Sequence, residues 1–157
     1  SVIEHMLKAS QLEFSEIASA QSHVFISSSH PLADRKTLTL DDLLDYPYLS
    51  YEQGSHNSFY FSEEILSTIT RRKKIKVRDR ATLFNLVIGL NGYTVSSGII
   101  SHELNGESII AKPLATPDCA VMRIGVVTRK NSKLSRYGKR YVELLQKHTG
   151  SIPIDIV

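Results

Sequence analysis

The chain has no tryptophan, a single cysteine, and no apolar run that approaches a membrane span. Each absence narrows the field. Cys119 has no second cysteine to pair with, so a reducing cytoplasm is the expected compartment. Without roughly 18 consecutive apolar residues no transmembrane helix is predicted, and the first residues carry no secretory-signal pattern. Excess charge is also lacking. The net charge of +3 and isoelectric point near 9.0 are mildly basic, too weak to argue for nucleic acid. There is no internal repeat and no low-complexity segment.

Enzyme signatures are missing as well. No phosphate-binding glycine loop, dinucleotide fingerprint, metalloprotease histidine pair or cysteine pair occurs. Ser96-Ser97-Gly98 lacks the upstream glycine of a nucleophile elbow. The histidines at 5, 23, 30, 56, 102 and 148 are dispersed, with no metal-ligand spacing. The sequence therefore assigns no catalytic residue, no metal and no cofactor, and the chain is not expected to be an enzyme.

What is present is an ordinary globular composition of 157 residues, 41% hydrophobic and 22% charged, enough for one domain or two small lobes. Helical spacing predicts helices over residues 2–9, over Leu40–Leu44 behind a Thr39 N-cap, over Ser58–Ile69, and over Ser135–His148. In the last of these Tyr137, Tyr141, Leu144 and Leu145 are expected to face the core. Leu83 to Leu90 is apolar on nearly all sides and is expected to be a buried helix, its end turned by Gly89 and Gly92. Short apolar or alternating runs predict strands at His23–Ser27, Tyr48–Tyr51, Lys74–Arg78, Tyr93–Ser96, Ser108–Ala111 and Val121–Thr128, with weak alternation over Leu12–Ile17. Strands alternating with helices argue for an α/β fold.

The basic run Arg71–Arg80 has no interleaved aromatics to stack on bases and is expected to be a solvated face. Four polar stretches follow predicted strands: Ser27–His30, Glu52–Asn57, Asp79–Thr82 and Ser96–Gly98. If those strands run the same way, all four converge on one sheet edge, where α/β folds place ligands. Free backbone N–H groups at helix starts attract anions, and hydroxyls at Ser55, Thr82 and Ser97 add donors. The candidate ligand contacts are Ser28, Ser29, Tyr51, Glu52, Ser55, Asp79, Thr82, Ser96 and Ser97. Capping of helix starts is the competing role for Ser, Thr and Asp. Glu52 suits an ammonium better than an anion.

Several segments in this order resemble the effector-binding domain of LysR-type transcriptional regulators. They are Val24-Phe-Ile-Ser-Ser-Ser-His-Pro-Leu-Ala33, Leu38 to Tyr48 with its Tyr46-Pro47 exit, Asn91-Gly-Tyr-Thr-Val-Ser-Ser-Gly-Ile99, and Met122-Arg-Ile-Gly-Val-Val-Thr-Arg129 followed by Leu134-Ser-Arg-Tyr137. The resemblance covers roughly residues 12–148. It implies a type II periplasmic-binding-protein-like α/β fold, two lobes with mixed sheets joined by crossover strands. Residues 1–27 would be a remnant of lobe I, 28–115 would form lobe II, and 116–157 would return to lobe I with a C-terminal helix. The first lobe is expected to be incomplete. The helix-like start, without an initiating Met, also points to a fragment. The implied function is inducer sensing: a small, anionic metabolite binds between the lobes and controls oligomer geometry and transcription. Implied partners are that inducer and a homodimer or tetramer formed through this domain, with DNA engaged only through a missing N-terminal helix-turn-helix. The glycine-rich turn of the family departs here to Tyr93-Thr-Val-Ser-Ser-Gly98, which implies either a wetter site or an altered ligand. A solute-binding protein of a transporter is the alternative on the same fold, and a dehydratase or deaminase is a third.

Overall fold

The computed structural model describes residues 11–52, 73–115 and 121–149. The helices expected over residues 2–9 and 58–69, as well as Cys119, lie outside the described residues. The chain divides into two compact units, residues 1–20 with 121–157, and residues 21–120. The boundaries fall at Ala20/Gln21 and Ala120/Val121, so the strand at His23–Ser27 lies within the second unit.

The first unit holds β1 (Leu12–Ala20), β7 (Met122–Arg129) and α3 (Arg136–Thr149). β1 and β7 are antiparallel, with a bulge between Glu16 and Ala18. The strand runs past the weak alternation visible in the sequence because β7 pairs with it along its whole length, from Leu12 opposite Arg129 to Ala20 opposite Met122. Arg123 ties the ribbon together: it donates from Nε to Glu16 and sits over the Phe14 ring at 5.3 Å. Gly125 lets the strands approach. A Cβ there would lie 2.6 Å from the Phe14 ring and against the Ser15 carbonyl. We therefore expect Gly125→Ala to break the pairing, seen as lost amide protection along β1 and β7 in hydrogen exchange.

α3 corrects a sequence expectation. Tyr137 and Tyr141 are 85% and 64% exposed, and Leu144 is also exposed. Gly138, Val142, Leu145 and Thr149 are the half-buried positions instead. The helix carries two adjacent apolar stripes, and packing against β1 covers only one of them.

The second unit is a twisted sheet. β3 (Tyr48–Tyr51) pairs in parallel with β4 (Lys74–Val77). The sheet continues through Tyr93, whose N–H donates to the Pro47 carbonyl and whose carbonyl accepts from Leu49 N–H. Tyr93 leads into β5 (Thr94–Ser96), which lies antiparallel to β2 (His23–Ser27), and β2 pairs antiparallel with β6 (Ile109–Pro113). The strand sequence across the unit is thus β4, β3, β5, β2, β6. One face is covered by Val24, Ile26, Leu38, Leu43, Tyr48, Tyr93, Val95 and Leu114. The other holds Phe25, Leu49, Val77 and Ile109 against Leu83 and Val87 of α1 (Arg80–Gly89). The short α2 (His102–Asn105) precedes β6.

Two local expectations change. Leu40–Leu44 forms consecutive turns rather than an α-helix, closed by i→i+3 bonds such as Leu43 N–H to Leu40 O at 3.3 Å. Thr39 still caps. Its hydroxyl accepts from Asp42 N–H at 3.2 Å, and Asp42 accepts from Thr39 N–H at 2.9 Å. Pro47 leaves too few residues for the helix to propagate. α1 is only partly buried: Leu83 and Val87 are enclosed, while Ile88 and Leu90 are exposed. A single helix presents only one face to one sheet, so the outer apolar residues have no described cover.

Candidate ligand-binding edge

β3, β4 and β5 run in one direction, so their C-terminal ends meet at one edge of the second unit. This edge gathers Tyr51 and Glu52 from β3, Arg78 and Asp79 beyond β4, and Ser96 and Ser97 from β5. The N-terminus of α1, with Thr82, lies at the same edge because α1 follows β4 directly. Ser28 and Ser29 are not there. β2 runs antiparallel to β5, so its C-terminal residues emerge at the opposite end of the sheet. The convergence expected of all four polar stretches therefore fails for Ser27–His30, because β2 does not share the common strand direction. Ser27 and Ser29 instead hydrogen-bond each other through their hydroxyls at 2.9 Å. Ser55 lies outside the described residues.

The antiparallel β2 brings a residue to the edge that sequence reasoning passed over. His23 pairs in register with Ser96. Side chains alternate along a strand, so His23 and Phe25 share the α1 face of the sheet. Its sequence signal was a strand beginning, not a strand end, and only the topology makes those equivalent.

Charges at the edge are organised by short local bonds. Arg78 donates from Nε to Glu52 Oε2 at 2.6 Å, and Glu52 N–H donates to Val77 O at 2.8 Å. The Arg78 hydrogen bond holds the Glu52 carboxyl below the usual carboxylate range, and the same contact raises Arg78. Glu52 is thus engaged with a cation of this chain rather than left open for an ammonium. The pair is exposed, so it is worth little for stability. Its consequence is orientation, since using Nε leaves both terminal guanidinium nitrogens of Arg78 directed elsewhere.

Asp79 caps α1. It accepts from Thr82 N–H at 2.8 Å and from the Thr82 hydroxyl at 2.7 Å. Those bonds hold its carboxyl below the usual range. The capping role weighed against ligand contact is therefore the one these two side chains perform here, and the Thr82 proton is already donated. Ser97 Oγ accepts from Ile99 N–H at 3.4 Å, a loose bond that leaves the hydroxyl free to donate.

The basic run is tied to its own fold. Lys73 donates to the Asp45 carbonyl at 2.7 Å, Lys74 sits over the Tyr48 ring at 5.6 Å, and Arg80 covers the Phe84 ring at 4.9 Å. An open groove of about 680 Å³ runs between α1 and the 99–109 segment, lined by residues including Phe84, Ile88, Ile99 and Ile109. No group of side chains among the described residues is arranged to hold a metal ion. No described helix is long and apolar enough to cross a membrane.

A mixed sheet with a polar edge at parallel strand ends defines an α/β unit with a candidate small-molecule site. The model of the LysR substrate binding domain matches residues 2–150, and the chain belongs to that family. The chain is 27% identical over 143 residues to the malolactic fermentation system transcriptional activator of Lactococcus lactis subsp. lactis (strain IL1403), covering 89% of this chain and 48% of that protein. It thus spans about half the length of this curated relative. Among solved structures, the effector-binding domain of QuiR in complex with shikimate superposes with a TM-score of 0.63 at 20% identity, over 90% of this chain and 67% of that one. HinK, a LysR family transcriptional regulator from Pseudomonas aeruginosa, gives 0.65 at 16% identity, over 90% and 49%. The fold is accordingly the type II periplasmic-binding-protein fold of LysR effector domains. The family is one of transcriptional regulators, not of enzymes or transport receptors.

Proposed function

We propose that the chain senses a small hydroxylated carboxylic acid at the edge formed by Tyr51, Glu52, Arg78, Ser96 and Ser97. The observation that carries this is the Arg78 guanidinium, held through Nε by Glu52, with its terminal nitrogens unspent among the described residues. That fork matches a carboxylate in geometry and charge. Hydroxyls of Ser96 and Ser97, two strands across at the same edge, supply neutral donors, and Tyr51 between them offers an apolar ring. The names of two similar proteins agree with the ligand class: one refers to malolactic fermentation and the other to shikimate. Malic, lactic and shikimic acids are all hydroxy carboxylic acids.

In the whole protein, effector binding shifts the balance between two states of the domain and so the geometry of a dimer or tetramer, which governs transcription through a separate DNA-binding domain. A ligand produces such a shift only through unequal affinity for the two states. Titration calorimetry of the intact protein against malate, lactate and shikimate tests the reading. At least one acid is expected to bind, and Arg78→Ala is expected to weaken it about tenfold or more, as for a charge-assisted hydrogen bond. Binding that Arg78→Ala leaves unchanged, or no binding by any of the acids, overturns it.

A further inference from the structure

The second unit carries one edge residue whose chemistry neither capping nor core packing uses. The His23 ring is half-buried and fixed on two sides. Its Nδ1 lies 2.9 Å from the Gln21 carbonyl, which can only accept, so Nδ1 carries the hydrogen. On its other side the ring lies against Gly98, which has φ +77°. A Cβ at Gly98 would sit 2.5 Å from the ring's Cγ and Nδ1. The loop after β5 thus closes on the imidazole and permits only glycine there.

With the hydrogen assigned to Nδ1, the neutral ring presents Nε2 as a lone-pair acceptor, and this atom has no partner among the described residues. A fixed acceptor beside Ser96, on the face that α1 covers, is suited to a donor on a bound molecule. The serine hydroxyls rotate and both donate and accept, so they can turn to water when a ligand hydroxyl is missing. His23 cannot turn away, and an analogue without the hydroxyl leaves Nε2 unpaired in a partly dehydrated place. The carboxylates at the edge are already engaged, Glu52 by Arg78 and Asp79 by Thr82.

We infer that His23 is a specificity-determining ligand contact, accepting a hydrogen bond at Nε2 from the effector's hydroxyl. The inference rests on the proposed hydroxy-acid site at the same edge. Two positions fix the ring, so little is lost in ordering it on binding.

The test compares L-malate with succinate, which differ by one hydroxyl, by titration calorimetry on the intact protein and on His23→Phe. Phenylalanine keeps a ring against Gly98 and removes both nitrogens, and unchanged circular dichroism and thermal midpoint verify its fold. The unmodified protein is expected to bind malate about tenfold more tightly than succinate, the scale of one hydrogen bond. In His23→Phe the two acids should bind alike, at the succinate level. The malate–succinate comparison needs no variant to overturn the inference, and His23→Gln, which keeps the fold-compatible polarity but not the fixed acceptor, serves if His23→Phe fails to fold; it too should bind the two acids alike. Equal binding of both acids to the unmodified protein, or a malate preference that survives in His23→Phe, overturns the role of His23 while leaving the Arg78 site standing. If neither acid binds the unmodified protein, the malate-based role of His23 falls, and the Arg78 site is then decided by lactate and shikimate.

Discussion

Gly92→Ala is expected to destabilise the second unit by about 1–3 kcal/mol, the range for overfilling a packed interior. A Cβ at position 92 would meet Leu49 Cδ1 and lie 2.9 Å from the Pro47 carbonyl. Leu49 is fully enclosed and Pro47 O is held by Tyr93 N–H at 3.0 Å, so neither neighbour gives way freely. The Pro47–Tyr93 and Leu49–Tyr93 bonds join β3 to β5, so displacement there loosens the edge as well as the core. For a unit of this size each kcal/mol lowers the thermal midpoint by about 4–8 °C. Leu49→Ala alone is expected to cost about 2–5 kcal/mol through the cavity it leaves. Combined, the two should cost less than their sum, because the cavity accommodates part of the new methyl. Thermal unfolding of the two single variants and the double variant measures this. Strict additivity, or an unchanged midpoint for Gly92→Ala, contradicts the packing account.

Acidification below about pH 6.5 is expected to weaken the second unit through His30. The ring is buried, with Nε2 donating to Asn91 O at 3.1 Å and Nδ1 accepting from Leu32 N–H at 3.0 Å. It lies 4.4 Å from the Tyr46 ring. Burial lowers its pKa from 6.5, partly opposed by the Asn91 carbonyl. The sign follows from the direction. The folded state prefers the neutral ring, so the unfolded state binds a proton first as pH falls. The contribution of His30 is therefore complete above 6.5 and is lost progressively as pH falls below that value toward the lower folded-state pKa. Protonation also places a hydrogen on Nδ1, opposite the Leu32 N–H it now accepts. His30 thereby links the turn after β2 to Asn91, the left-handed residue (φ 48°) that ends α1. Denaturant midpoints taken from pH 8 to pH 5 should fall in the original chain. In His30→Phe the His30 component should vanish, on a lower baseline, because Asn91 O and Leu32 N–H are left unpaired. Equal pH slopes in the two proteins would contradict the assignment.

The sequence revealed most of the elements of the second unit and fewer of their relations. Strands at Tyr48–Tyr51, at Lys74–Val77 and around Thr94–Ser96 were legible because short apolar runs end in polar residues. The direction of β2 was not legible, since an apolar run reads the same in either sense. That one ambiguity moved Ser28 and Ser29 to the far end of the sheet and concealed His23. Asp79 and Thr82 were legible as a helix start, and the structure shows how fully they satisfy each other. Glu52 was read without its partner because the pairing depends on the parallel register of β3 and β4. The turn after α1 was placed correctly, but its left-handed residue is Asn91, while Gly92 serves close packing. In the first unit α3 was legible, but which of its two apolar stripes faces inward was not, since both have helical spacing.

The central claim is that a small acid binds where β3, β4 and β5 end. The most direct test is to follow backbone amide shifts of the intact protein by NMR while titrating L-malate. Saturable shifts concentrated at His23, Glu52, Arg78, Ser96 and Ser97 are the predicted result. Shifts confined to Ser28 and Ser29, or to the groove along Phe84, Ile88 and Ile99, would contradict it.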